Sequence, residues 1–261
     1  MEIVILPSAD EVGRVAASTI AALVRADPGA VLGLATGSSP MGVYAELRRL
    51  VEAGEVSFSR VHGFALDEYV GLPLEHPESY ASVLAREVVE PLGLDPRRVH
   101  VPDGRADDLA AAADRYEQRI LDAGGIDLQI LGIGANGHIG FNEPTSSLAS
   151  RTRLKTLTPR TRDDNARFFD APELVPTHCL TQGIGTILDA GRLLLVAQGS
   201  SKADAVAAAV EGPLTSFVPA SALQLHRHAT VIVDEAAASR LQLFDYYSCT
   251  SADEPTRRHD Q

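Results

Sequence analysis

The chain has 261 residues, 45% of them hydrophobic and 22% charged, with 21 glycines, 15 prolines and no tryptophan. That length supports one large domain with a substantial core, and the composition excludes disordered and fibrous classes. A formal net charge of −12 argues against nonspecific nucleic-acid or anionic-membrane binding, yet leaves room for a small anionic metabolite at a locally basic site. The two cysteines, Cys179 and Cys249, lack CxxC spacing and indicate neither a disulfide framework nor a cysteine zinc site. The apolar start, residues 1–6, is too short and too acidic for a signal peptide, and no run approaches a membrane span. A cytosolic chain is expected.

In chain order, short apolar runs alternate with helix-period segments. Residues 3–6 and 31–35 read as buried strands. The second leads into Leu34-Ala-Thr-Gly-Ser-Ser-Pro-Met41, where Thr36, Ser38 and Ser39 supply hydroxyls, Gly37 permits a tight turn and Pro40 suits the first helical position. Free amides at such a helix start can take a phosphate, but the Gly-Lys-Ser/Thr ending of a nucleotide-binding P-loop is missing. Val43, Leu47, Leu50 and Val51 share one face of the helix that follows. A strand at 61–66 ends on Asp67 and Glu68, either capping acids or, for a desolvated Asp67, a base for a proton α to a carbonyl. The proline-rich stretch 70–79 is a lid candidate. Helical faces recur at Tyr80, Leu84 and Val88, and at Leu109, Ala112, Ala113, Tyr116 and Ile120.

The strand at 128–133 runs into Gly132-Ile-Gly-Ala-Asn-Gly-His-Ile-Gly-Phe-Asn-Glu-Pro144, the most informative segment. Its glycines allow a crowded loop at a strand end, where open α/β sheets bind small molecules, and they surround His138 and Glu143. A carboxylate that orients an imidazole makes it a tunable proton carrier. Arg167 sits against two aromatics in Asn165-Ala-Arg-Phe-Phe169. After the strand at 193–197, Lys202 stands at a helix start, where a cation opposes the helix dipole unless an anion is bound. His226 and His228 alternate in a strand-like context with no third ligand near, so no metal site is indicated; a strand at 230–233 follows. Alternation of strands and helices predicts a single α/β domain of the Rossmann-like kind, residues 1–247, with a mostly parallel sheet and helices on both faces. Residues 248–261 are polar and expected to fray.

Together these segments resemble glucosamine-6-phosphate deaminase. The similarity covers nearly the whole chain and is most specific in Leu66-Asp-Glu-Tyr-Val-Gly-Leu-Pro73, His76-Pro-Glu-Ser-Tyr80, Gly137-His-Ile-Gly-Phe-Asn-Glu-Pro144 and Ser146-Ser-Leu-Ala-Ser-Arg-Thr-Arg153. The resemblance implies conversion of glucosamine 6-phosphate and water to fructose 6-phosphate and ammonia, with no metal or organic cofactor. It implies His138, held by Glu143, as the proton shuttle of ring opening and Asp67 as the base at carbon 2. Thr36, Gly37, Ser38 and Ser39 would cradle the phosphate, neutralised by Arg167 and Lys202.

Two departures from the family pattern stand out. Many relatives carry Asp two residues before the histidine; here it is Asn136, which leaves Glu143 as the main anionic partner expected for His138. In allosteric relatives an acetylated amino-sugar phosphate binds between subunits, and the matching positions are Ser146, Ser147, Arg153, Lys155 and Thr156. The C-terminal tyrosine of those relatives has only Tyr246 and Tyr247 near it. The resemblance leaves a homo-oligomer open, since the family includes monomers and hexamers. It also leaves open the galacto-epimer as substrate. A 6-phosphogluconolactonase would share the phosphate loop but has no need of a proton-abstracting Asp67. A sugar-phosphate-sensing regulator would need a DNA-binding module, and would have little reason to keep Asp67, His138 and Glu143 together.

Overall fold

A computed structural model describes residues 1–73, 75–169, 171 and 174–253. The first half contains β1 (Glu2–Leu6), α1 (Ala9–Ala26), β2 (Val31–Leu34), α2 (Ser38–Glu52), β3 (His62–Ala65) and β4 (Asp67–Tyr69). Next come α3 (Tyr80–Leu84), which passes through a π-helical turn into α4 (Glu90–Leu92), then β5 (Val99–His100), α5 (Leu109–Asp122) and β6 (Leu128–Leu131). The second half holds β7 (Arg153–Thr156), α6 (Pro159–Ala166), β8 (His178–Thr181), α7 (Ile184–Leu188), β9 (Leu193–Ala197) and α8 (Ala203–Val210). It closes with β10 (Ala229–Asp234), α9 (Glu235–Ala238) and α10 (Phe244–Asp253). The last helix runs past residue 247, and 254–261 lie outside the described residues.

Seven strands form one parallel sheet in the order β1-β10-β9-β6-β2-β3-β5. Its central members β2, β6 and β9 are buried along their whole length, which is why their sequences read as unbroken apolar runs rather than alternating ones. After β2 the chain adds β3 and β5 on one side, then returns to place β6, β9 and β10 on the other. The boundary between β2 and β6 is therefore the switch point, the crevice where open α/β sheets bind ligands. All six strands read from the sequence belong to this sheet. The His226–His228 stretch does not: it follows a 3-10 turn (Pro219–Leu225) and precedes β10.

A second, antiparallel sheet, β4-β8-β7, has no counterpart in the sequence reading. Its strands Asp-Glu-Tyr and Arg-Leu-Lys-Thr are short and polar, so neither carries an apolar run. Leu66 is the joint: its amide donates to Leu34 O (2.9 Å) in the main sheet, and its carbonyl accepts from Gln182 N (2.7 Å) just beyond β8. The small sheet thus rises from the carboxyl end of β3, over the same edge as the switch point. Asp67 consequently begins an antiparallel strand rather than ending a parallel one.

Glu117 of α5 fastens this upper layer. Its carboxylate accepts from Thr152 N (2.7 Å), Thr152 Oγ1 (2.5 Å), Thr186 Oγ1 (2.6 Å) and Arg151 Nη2 (2.6 Å). Those donors outweigh burial and hold its pKa below the usual glutamate value. Among the described residues, no helix is long and apolar enough to cross a membrane. Replacing Glu117 by Ala removes charge-assisted bonds worth roughly 1.5–3 kcal/mol each before compensation by water. We expect Glu117→Ala to lower the urea midpoint at neutral pH. A carboxylate with a depressed folded-state pKa contributes above its unfolded pKa and loses that contribution as pH falls through the folded value. The gap to the parent should therefore narrow in acid; a constant gap from neutral to acid pH would contradict the assignment.

Candidate functional site

The glycine-rich loop after β6 places His138 over the backbone of Gly134, whose amide donates to His138 O (2.9 Å). A Cβ at Gly134 would lie 2.2 Å from His138 Cε1, so only glycine lets the ring lie there. His138 Nδ1 is 2.7 Å from Asn136 Oδ1, and Asn136 Nδ2 donates to Glu143 Oε2 (2.7 Å). With its amide nitrogen committed to a carboxylate, Asn136 must turn its oxygen to the imidazole, and an oxygen there can only accept. Nδ1 therefore carries a proton, and Nε2 is the nitrogen with the basic lone pair. Glu143 itself is 3.7 Å from His138 Nδ1, too far for a hydrogen bond. It stands within ion-pair range as the anionic neighbour expected from the sequence, and Asn136 bridges carboxylate and imidazole by hydrogen bonds.

Glu143 is buried, and its other oxygen accepts from Thr161 Oγ1 and, at 3.4 Å, from Thr158 Oγ1. Thr158 is the N-cap of α6, with its hydroxyl accepting from Thr161 N. No local pattern around Glu143 announces these threonines, which lie 15 and 18 residues downstream.

Asp67 and Glu68 have opposite fates. Glu68 takes the capping role: Oε1 accepts from Tyr69 N (2.7 Å) and Tyr80 N (3.0 Å), and Oε2 from Ala81 N (2.9 Å), at the start of α3. Asp67 is 6% exposed and is pushed well above the usual aspartate range, first by burial and then by the charge of Glu68. A Cβ on Gly140 would lie 3.5 Å from Asp67 Oδ2 and 3.0 Å from Thr181 Oγ1, so the carboxylate abuts the loop that carries His138. Thr181, the register partner of Asp67, accepts from Phe141 N (3.1 Å) and ties that loop to the small sheet.

At the other side of the switch point, α2 begins at Ser38 with Gly37 as N-cap, no side-chain cap and no acid in its first turn. Its free amides favour an anion. Pro40 falls on the third helical residue rather than the first, still within the turn whose amides have no helical partner. The Tyr44 hydroxyl donates to Ala35 O (3.0 Å) and accepts from Ala35 N (3.2 Å), fixing the residue before Thr36. Gln198, directly after β9, donates to Ser39 O (3.3 Å) and joins the segment leading to Lys202 to this helix start. Lys202 closes a 3-10 turn and is N-cap of α8.

A cavity of about 670 Å³ is lined by Thr36, Gly37, Ser38 and Arg167, with Tyr69 and Tyr80 among its aromatic walls. It brings together the loop at 36–38 and Arg167, whose guanidinium lies 4.7 Å over the Phe168 ring. Asp67, His138, Ser39 and Lys202 are not among its described lining residues. Phe169 packs on Tyr69 (5.9 Å between centroids) and on His76 of the 70–79 stretch (5.7 Å), so the segment bearing Arg167 rests on the strand bearing Asp67.

Of the remaining positions, Ser146 is buried with an unpartnered hydroxyl, and Arg153 is held below the usual arginine value by burial. Alternation along β7 puts Arg153 and Lys155 on one face and exposes Leu154 and Thr156 on the other. Tyr246 and Tyr247 lie on α10, which packs against β1 at an edge of the main sheet. Both His226 nitrogens are engaged, Nε2 with Ala190 O (2.8 Å) and Nδ1 with His228 N (3.1 Å).

A family model described as glucosamine-6-phosphate isomerases/6-phosphogluconolactonase matches residues 7–232. A glucosamine-6-phosphate deaminase of Streptomyces coelicolor is 59% identical over 256 residues, and one of Mycolicibacterium smegmatis 57% over 256, each alignment covering 98% of both chains. Among solved structures, a monomeric glucosamine-6-phosphate deaminase matches with a TM-score of 0.90 at 44% identity, over 92% of this chain and 100% of its own. A 6-phosphogluconolactonase from Leishmania guyanensis shares the fold at a TM-score of 0.71 and 21% identity, over 90% and 97% of the two chains.

The burial of Asp67 has a cost that a melting experiment can read. A carboxyl whose folded-state pKa exceeds its unfolded value contributes fully below the unfolded pKa and loses that contribution as pH rises through the folded value. Asp67→Asn removes the charge and the loss together. The variant should melt above the parent at neutral pH, with the two converging in acid. A variant that melts below the parent at neutral pH would show that the carboxylate is stabilised by contacts rather than desolvated.

Proposed function

The chain belongs to the family of glucosamine-6-phosphate isomerases and 6-phosphogluconolactonases, and we propose that it is a glucosamine-6-phosphate deaminase whose site is built on Asp67, Asn136, His138 and Glu143. The observation that carries this reading is the pairing of a buried, destabilised carboxylate with a loop whose imidazole is oriented by an amide and a carboxylate. A lactonase has no proton to remove from carbon and no use for such an Asp67.

The reaction opens with ring cleavage. His138 Nε2 takes the proton of the anomeric hydroxyl and delivers a proton to the ring oxygen, while the Glu143–Asn136 chain keeps Nδ1 protonated. Asp67 then removes the proton on carbon 2 of the open chain as the aldehyde oxygen gains a proton, and returns it to carbon 1 as the amino nitrogen gives one up, leaving an imine at carbon 2. Water adds to that imine, and ammonia leaves with fructose 6-phosphate as the second product. The raised pKa of Asp67 makes it a stronger base than an ordinary aspartate, and groups of this kind contribute roughly 10²–10⁴-fold each. Thr36, Gly37, Ser38 and Ser39 receive the phosphate on the first amides of α2, and Arg167 and Lys202 supply the positive charge. Ser146, Ser147, Arg153, Lys155 and Thr156 belong to the proposal as a second anion site for an acetylated amino-sugar phosphate, supported by the buried Ser146 hydroxyl and the desolvated Arg153. The unpaired state of both cysteines supports a cytoplasmic location.

The direct test is release of ammonia and fructose 6-phosphate from glucosamine 6-phosphate by chelator-treated protein, with galactosamine 6-phosphate and 6-phosphogluconolactone alongside and the acetylated sugar phosphate as additive. Stoichiometric formation of both products from the gluco sugar is expected; hydrolysis of the lactone alone would overturn the reading. Because Asp67 must be ionised, activity should rise with pH through a value above the usual aspartate range. Asn136→Asp sets a second carboxylate against Glu143 and the imidazole, which stabilises the imidazolium and should move the pH–rate curve upward. An unchanged curve would remove Asn136 from the relay.

A further inference from the structure

The loop carrying His138 and Glu143 is gripped from outside by a turn that no chemical step uses. Thr215 and Val218 pair across this turn, with Val218 N donating to Thr215 O (3.2 Å). Two of its contacts reach the catalytic loop. Ser216 O accepts from Thr145 N (2.7 Å), two residues after Glu143. Val218 packs on Gly137, where a Cβ would lie 2.8 Å from Val218 Cγ1, and Ala220 N donates to Gly137 O (2.9 Å), directly before His138. The grip thus falls at the two ends of the segment that contains His138 and Glu143, with Asn136 directly before it.

Ser221 holds the turn. It is fully buried, and its hydroxyl accepts from Thr215 N (2.9 Å) while donating to Thr215 O (3.0 Å), so both polar groups of that residue are satisfied by one side chain. Gln224 anchors the same segment to the end of α8 through Ala209 O (2.8 Å) and Gly212 O (2.9 Å). The element that begins at Lys202 and the element that grips the relay are therefore one support.

Thr145 shows that the grip carries a load. Among the described residues it is the one non-glycine residue with positive φ, at 75°, a conformation that β-branched side chains rarely adopt. Its side chain is exposed, so side-chain packing does not hold it there. The turn that Ser146 N closes onto Glu143 O (3.0 Å) requires positive φ at this position, and the bond from Thr145 N to Ser216 O ties that turn to the grip. Strained backbone of this kind persists where the surroundings impose it, and here it lies beside a candidate catalytic residue.

We infer that Ser221 is a positioning residue: by locking the turn at 215–218 it holds Gly137 and Thr145, and so fixes His138 and Glu143 relative to each other. The inference deepens the proposed deaminase reading and rests on His138 and Glu143 acting together. With the turn loosened, Thr145 relaxes from its left-handed conformation and draws Glu143 with it, whereas a glycine at 145 has no such tendency.

The test compares Ser221→Ala, Ser221→Ala/Thr145→Gly and Val218→Ala by steady-state kinetics and by NMR of the His138 imidazole, assigned with His138→Gln. Ser221→Ala should lower kcat about tenfold, the equivalent of losing one buried polar pairing, with KM within about twofold of the parent. The double variant should recover at least about a third of the parental kcat, because glycine removes the strain that the loosened turn releases. Val218→Ala buries no unpaired group and should shift kcat and the imidazole signals in the same direction if Ser221→Ala does not fold. Parental kcat in Ser221→Ala, or a loss that Thr145→Gly fails to rescue, would overturn the inference. If the parent protein turns over no amino-sugar phosphate, the deaminase reading fails. The imidazole signals still decide the positioning role, since unmoved signals in Ser221→Ala and Val218→Ala contradict it.

Discussion

Glu143 is the residue on which the two halves of the site depend. One carboxylate oxygen receives Asn136 and, through it, sets the proton of His138; the other receives Thr161 and Thr158 at the start of α6. The same helix ends at Arg167, on the wall of the cavity shared with the phosphate loop. A buried carboxylate is costly unless its lone pairs are occupied, and here the donors come from the loop that carries His138 and from the start of α6. Satisfying Glu143 therefore orients the imidazole and seats α6 together.

The fold supplies the constraint that makes this economical. Strand order reverses between β2 and β6, so the glycine-rich loop and the start of α2 face each other across one crevice. Leu66 then lifts the chain out of the main sheet, and the small sheet carries Asp67 over that crevice against Gly140. Adjacent acids divide the work: Glu68 accepts from its neighbour Tyr69 N and from two amides at the start of α3, while Asp67 receives burial and a neighbouring charge. The first pattern builds a helix start. The second builds the carboxyl proposed here as the base.

Much of this was legible in the residues. Buried parallel strands advertise themselves as apolar runs, and all six that were read belong to the main sheet; its seventh, β5, is two partly buried residues with no run to read. Close approach of backbone and ring demanded glycine at Gly134, which is why the loop around His138 was recognisable. The small sheet was not legible, because β4 and β7 gain their stability from pairing with β8 rather than from an apolar pattern of their own. Nor were the partners of Glu143: Thr158 and Thr161 form a helix cap far along the chain, and only folding brings that cap to the loop. Asn136, by contrast, lies two residues before His138, and its place beside the imidazole was open to a local reading. The Tyr69, Tyr80, Phe141 and Phe169 cluster draws on segments up to 100 residues apart, each of which was read as a separate motif before folding joined them.

The central claim is that Asp67, shielded from water, carries one proton from carbon 2 to carbon 1 of the same sugar. Turnover of glucosamine 6-phosphate deuterated at carbon 2, with the fructose 6-phosphate examined by NMR, measures that transfer. The account predicts a primary isotope effect and deuterium at carbon 1 in a measurable fraction of the product. Product with no deuterium at carbon 1, formed with no isotope effect, would contradict Asp67 as the proton carrier.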